Sequence, residues 1–171
     1  MNNYIQLAKL AIENYIRHGK IIPVPKNLPS EFYSRKAGVF VTIYKEKDLR
    51  GCIGTYLPTR ENIAEEIINN SIAACSRDFR FNEITKKDLS ELSYEVSILS
   101  EPNPLENIEK HNSKKDGIIV QCLDGRCGLL LPNLDGIDTT NQQISIACQK
   151  GGISPRSDKI QLFEFTVEKH G

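Results

Sequence analysis

Gly38-Val39-Phe40-Val41-Thr42-Ile43-Tyr44-Lys45, then Glu46-Lys47-Asp48, then Leu49-Arg50-Gly51-Cys52-Ile53-Gly54-Thr55-Tyr56, is the stretch that decides how this chain folds. Successive side chains of a strand point to opposite faces. Val39, Val41 and Ile43 therefore share one face, with Phe40 and Tyr44 on the other. The polar run Lys45 to Asp48 turns the chain back into a second strand. The whole reads as an antiparallel hairpin with a longer loop.

Outward from this hairpin, helices and strands follow in sequence. Asn3 to His18 carries Tyr4, Ala8, Ala11, Ile12, Tyr15 and Ile16 at helical spacing, with Gly19 as its stop. Pro23, Pro25 and Pro29 force an extended segment after it. The loop-rich stretch Ile21 to Ser34 is a candidate for a smaller second lobe. Thr59 can cap a helix to Ser76, burying Ala64, Ile67, Ile68, Ser71 and Cys75. Leu92 to Leu99 alternates as a strand, with Glu95 and Ser97 on its polar face, and a short helix is expected over Leu105 to Lys110. Gly117 to Leu123 and Arg126 to Leu131 flank Asp124-Gly125, a strong two-residue turn signal. Thr139 with Gln142 forms a capping-box pattern for a helix to Lys150, and Ile160 to Glu168 is a last strand. Hairpins outnumber strand-helix-strand units. The expected fold is α+β: a mainly antiparallel sheet flanked by helices, in one domain spanning residues 1–171.

Composition narrows the function classes. The 171 residues hold 22 basic and 22 acidic side chains, so no global field draws the chain to nucleic acid or to an anionic membrane. No apolar run reaches the ~20 residues of a membrane span, and the N-terminus does not read as a signal peptide. Five cysteines, without a Cys-x-x-Cys pair, fit reduced thiols in the cytoplasm. Their spacing argues against zinc, and no cofactor is expected.

Four constellations stand out. Glycines weaken strands, so Gly51 and Gly54 around Cys52 call for a bulge or for close approach of a ligand to bare backbone. Cys52 could act as a nucleophile, with Arg50 lowering its pKa or holding an anion; a buried structural cysteine is the plain alternative. A thiol nucleophile needs a base. His111, read as a solvated loop residue, is one candidate, and Glu95 and Asp78 are others. In Arg77-Asp78-Phe79-Arg80-Phe81, Arg77 and Arg80 could clamp an anion or stack on a nucleic-acid base; otherwise an aromatic pins the loop and Asp pairs with Arg. A strict two-residue turn at Asp124-Gly125 would set Cys122 opposite Cys127, close enough for a redox disulfide or as two reduced thiols.

Leu49-Arg50-Gly51-Cys52-Ile53-Gly54 resembles the hexapeptide of the AMMECR family, also called protein A of the AmmeMemoRadiSam system. Matches continue at Arg77-Asp78-Phe79-Arg80-Phe81, Glu95-Val96-Ser97-Ile98-Leu99, Gly117-Ile118-Ile119-Val120, Gly128-Leu129-Leu130-Leu131-Pro132 and Ser145-Ile146-Ala147-Cys148. Phe79 stands where the family usually has proline, and Gly151 where it usually has alanine. The resemblance implies an α+β domain with the hexapeptide near a cleft. It also implies partnership with a Memo-like protein and a radical-SAM protein. The leading expectation is a component of that system, with Cys52 as the reactive thiol and Arg50, Gly51, Gly54, Arg77, Asp78 and Arg80 binding a ligand. An interaction module that docks through the hexapeptide is the alternative, and an RNA-binding protein a weaker one.

Overall fold

The computed structural model describes residues 2–171. By its contacts the chain divides into two compact units, residues 2–99 with Glu168–Gly171, and Ser100–Val167. Ile21 to Ser34, the expected smaller lobe, belongs instead to the first unit, and the smaller body is formed by Ser100–Val167.

In the first unit, helix α1 (Asn3–His18) starts where the Asn2 side chain accepts from the Tyr4 N–H and ends at Gly19, which takes φ +67°. A short helix α2 (Glu31–Ser34), not foreseen in the proline-rich stretch, follows and buries Phe32. Strands β1 (Val39–Lys45), β2 (Asp48–Thr55) and β3 (Leu92–Leu99) form an antiparallel sheet in the order β2-β1-β3. Val39, Val41 and Ile43 are fully buried, as the alternation requires. Helix α3 (Ile63–Ser76) packs on β1 and β2, and α1 packs on β3 and α3. Every residue of the expected α3 stripe is buried.

The first hairpin is tighter than expected. Lys45 pairs with Asp48, and Glu46 and Lys47 both adopt positive φ, at 50° and 78°. The longer loop is thus a two-residue turn whose twist matches the strands. Helix α3 begins at Ile63 rather than after Thr59. Asn62 is its cap, accepting from the Glu65 N–H at 3.0 Å. Thr59 is drawn instead to Glu66, a fully buried carboxylate that accepts from the Thr59 N–H, the Arg60 N–H and the Thr55 and Thr59 hydroxyls.

In the second unit, β4 (Asn103–Pro104), β5 (Asp116–Cys122), β6 (Cys127–Leu130) and β7 (Ile160–His170, here as far as Val167) pair antiparallel in the order β6-β5-β7-β4. The helix expected over Leu105 to Lys110 contracts to one 3-10 turn, Ile108–Lys110. Helix α4 (Thr140–Lys150) forms with the predicted capping box and packs on β5 and β6. Ile118, Val120, Leu130, Ala147 and Cys148 make its core.

The second hairpin is looser than expected. Cys122 donates its N–H to Arg126 O and Cys127 lies opposite Gln121, so three residues turn the chain, with Gly125 at φ +93°. A slip of one residue moves a side chain to the other face of the sheet. Cys122 and Cys127 therefore do not face each other. Cys122 enters the core, Cys127 stays half-buried, and both are free thiols. The redox pair is thereby excluded in this register. Among the described residues no helix is long and apolar enough to cross a membrane.

Candidate functional site

The hexapeptide occupies β2. Ile43 pairs with Gly51 and Tyr44 with Leu49, so Arg50 is an extra residue, a β-bulge. After the bulge, Gly51, Ile53 and Thr55 share one face of the strand, while Cys52 and Gly54 point the other way. A side chain at Gly51 would collide with the Ala74 carbonyl oxygen of α3, and one at Gly54 with the Phe40 ring and the Val39 carbonyl. Both glycines are thus required by packing within the unit. Neither leaves its Cβ position open to a ligand, so packing rather than ligand approach accounts for their spacing.

Cys52 is half-buried, with its Sγ 3.3 Å from the Thr42 hydroxyl. Thr42 pairs with Cys52 on one side and with Glu95 on the other. Two interstrand spacings thus put Glu95 roughly 10 Å from Cys52 at the backbone. Glu95 is partly buried, with Ser97 and Lys169 near its Oε1. Burial, then the charges of Glu95 and Cys52, raises the Tyr44 phenol pKa on the same face. No histidine is among the hydrogen-bond partners of Cys52 among the described residues.

The second motif closes onto the first. Asp78 accepts the Cys52 N–H at 2.9 Å, and Arg80 donates to the Cys52 carbonyl at 3.1 Å. Arg80 also grips Asp78 with two nitrogens, at 2.9 and 2.7 Å, and stacks over the Phe81 ring. Both backbone groups of Cys52 are therefore held by one Asp-Arg pair. The Arg80 guanidinium keeps the Asp78 carboxyl down at about 2, against the opposing effect of burial. So strong an acid is a poor proton acceptor at neutral pH. The expected Arg77–Arg80 clamp does not form, because Arg80 is committed to Asp78 while Arg77 faces a pocket. Phe81 is half-buried, with its ring under the Arg80 guanidinium, and Phe79 is 95% exposed.

That pocket, about 350 Å³, lies at the C-terminal end of α3 and is lined by Arg50, Cys75, Arg77, Asp78, Phe79 and Glu83 among others. Among the described residues neither Arg50 nor Arg77 forms an ion pair; Arg50 reaches only the Asn82 carbonyl, at 3.4 Å. Burial pushes the Cys75 thiol up to about 12, so it is inert there. The structure thus gathers Arg50, Arg77 and Asp78 at one opening, leaves the Cys52 thiol on the adjoining strand, and gives Gly51 and Gly54 to packing.

His111, expected in solvent, is buried in the second unit, where its two nitrogens meet Glu164 and Gln143. The sequence reading missed Glu66 and Gln143. The signal for Glu66 was a carboxylate three residues after Ile63 and four before Asn70, on the helix face that carries them. Gln143 had none beyond its place in α4.

A family model described as AMMECR1 matches residues 5–170. The chain belongs to the AMMECR1 family. A Thermotoga maritima protein is 44% identical to this AMMECR1 chain, the match covering 98% of it and 96% of the relative. A Clostridium acetobutylicum protein is 41% identical over 98% of this chain, but that match is only 35% of the clostridial protein. Among solved structures, the uncharacterized protein PH0010 from Pyrococcus horikoshii has a TM-score of 0.86 at 32% identity, covering 97% of this chain and 88% of that one. The AMMECR1 fold is accordingly α+β with antiparallel strands.

Proposed function

We propose that this AMMECR1 domain is a recognition component of a multi-protein system, and that it docks a partner protein through the loop Arg77 to Phe81. One observation carries the reading. Phe79 stands almost wholly in solvent on a loop that Asp78 and Arg80 anchor to the backbone of Cys52. An aromatic exposed on an anchored loop loses little conformational freedom on binding, which suits a contact hot spot. Beside it, Arg50 and Arg77, in no ion pair among the described residues, offer guanidinium groups to an acidic side chain of the partner. The family resemblance nominates a Memo-like protein and a radical-SAM protein as partners. The clostridial relative, in which the match forms about a third of a longer chain, supports a modular part.

The test is binding of the purified chain to the Memo-like and radical-SAM proteins encoded in the same genome. Phe79→Ala should weaken the complex at least about tenfold, and Arg77→Glu similarly. Cys52→Ser should leave affinity unchanged. Wild-type binding by both loop variants would refute the docking role.

Thiol chemistry at Cys52 is the second reading, favoured by its partial exposure beside the Thr42 hydroxyl. It requires that Cys52→Ser abolish the activity of the reconstituted system while the complex still forms.

A further inference from the structure

In the second unit, three segments bring an imidazole and two carboxylates together. His111 follows the 3-10 turn, Asp116 opens β5, and Glu164 lies in β7 opposite Ile118. One nitrogen or oxygen from each lies within 4.8 Å of the other two. The His111 side chain is fully buried, and its Nδ1 is 3.0 Å from Glu164 Oε2.

Gln143 settles which nitrogen carries hydrogen. This fully buried side chain donates through Nε2 to the Asp116 and Leu131 carbonyls, at 3.0 and 3.4 Å. Its amide orientation is therefore set by two acceptors, and Oε1 must face His111 Nε2 at 2.7 Å. The Nε2 atom is then an N–H donor, and Nδ1 turns its other valence towards Glu164. A bare lone pair against a carboxylate oxygen at 3.0 Å repels, so a cation belongs between them, either a proton or a metal ion.

Charge and access favour the metal. With a neutral imidazole and two carboxylates, one proton leaves the cluster at −1, and a divalent ion brings it to zero. Among the described residues the Asp116 carboxylate accepts one hydrogen bond only, from the Asn112 N–H at 3.3 Å. Glu164 also lines an open cavity of about 220 Å³ with Leu105, Glu106, Asn107 and Lys110, which supplies access and room for water ligands. An imidazole whose far N–H is held by a fixed acceptor is the arrangement that orients metal-bound histidines. Atoms bound to one ion at ~2.1 Å lie up to ~4.2 Å apart, so small side-chain rotations close the set.

We propose that His111 Nδ1, Asp116 and Glu164 bind a divalent first-row transition-metal ion, with Gln143 orienting the imidazole. One nitrogen and two oxygens suit such an ion better than Mg²⁺, which prefers oxygen ligands alone. The site is independent of the docking role proposed above and stands or falls separately.

Calorimetric titration of the metal-free full chain tests it. One Zn²⁺ per chain should bind, at least about tenfold tighter than Mg²⁺. Glu164→Gln and Asp116→Asn should each weaken Zn²⁺ by at least about tenfold with unchanged near-ultraviolet circular dichroism. Bound Co²⁺ should show no thiolate charge-transfer band. In the wild-type chain, the His111 Nδ1 resonance should shift on Zn²⁺ addition, a readout that needs no variant. Absence of Zn²⁺ binding, a thiolate band with Co²⁺, or an unmoved Nδ1 resonance at saturating Zn²⁺ would overturn the assignment and leave a proton in the gap.

Discussion

The strand that carries the hexapeptide in the first unit and the hairpin of the second unit use the same two devices, and each raised a functional expectation in the sequence, a ligand site in the first and a redox pair in the second. Gly51 lies under the Ala74 carbonyl of α3, and Gly128 lies under the Ala147 carbonyl of α4. Each glycine adjoins a half-buried cysteine, Cys52 or Cys127. Each region also has an Asp-x-Arg loop, Asp78-Phe79-Arg80 and Asp124-Gly125-Arg126, in which the arginine bonds back to the aspartate. The glycines thus report where a helix presses on a strand. The difference lies in what the loops hold. Both aspartates accept the N–H of their own arginine, but Asp78 and Arg80 seize both backbone groups of Cys52 on the glycine-bearing strand, whereas Arg126 reaches away to the Gly152 carbonyl and the Asp158 carboxylate. The clamp, and the exposed phenylalanine it carries, sets the first region apart.

The largest effect should come from the shared device. Gly51→Ala and Gly128→Ala each force a methyl group into a helix carbonyl, and backbone cannot yield as a flexible side chain does. Each should cost about 2–4 kcal/mol in urea denaturation. Should Gly51→Ala retain full stability while losing partner affinity, the glycines would differ in purpose and the ligand-approach reading would return.

A smaller effect separates the two loops. The Asp78 side chain is 3% exposed, and its carboxyl is held at about 2, below its ordinary value of 3.8. Because the folded value is the lower one, the stabilisation is complete above about pH 4 and is lost as pH falls through about 2. It amounts to about 2 kcal/mol. Asp78→Asn should lower the melting temperature at pH 7 and flatten the acid limb between pH 4 and 2. Asp124 is held at about 2 by Arg126 but is more than half exposed. Solvent screens such a pair, so Asp124→Asn should leave the melting curve unchanged. Equal losses in the two variants would erase the distinction.

The parts legible in the sequence were those that rest on local rules. The alternation of β1 and β3, the stripe of α3 and the capping box of α4 are repeated signals, and each landed on its element. Turn lengths were not legible. Asp124-Gly125 has the residues of a two-residue turn and makes a three-residue one, while Glu46-Lys47 lacks them and makes the tight turn. Pairing with the rest of each sheet fixes the register there, and the turn conforms. At the site, Asp78 and Arg80 were visible as a motif, but their hold on Cys52 links residues 26 and 28 positions apart. His111 was misread because burial by Gln143 and Glu164 leaves no trace in its neighbours along the chain.

The smallest effect concerns the cysteines themselves and separates one accessible thiol in each region from the buried ones. Iodoacetamide should label Cys52 and Cys127 in the native protein and spare Cys75, Cys122 and Cys148, which are buried. Burial also raises the Cys75 and Cys148 thiols, which lowers the fraction of reactive thiolate further. Mass mapping with and without reductant should give the same pattern, because Cys122 and Cys127 point to opposite faces. Protection of that pair until reductant is added would mean that the second hairpin slides by one residue into the register its Asp-Gly dipeptide favours. Equal labelling of Cys52 and Cys127 would leave the clamp, rather than the thiol, as the feature that makes the hexapeptide distinctive.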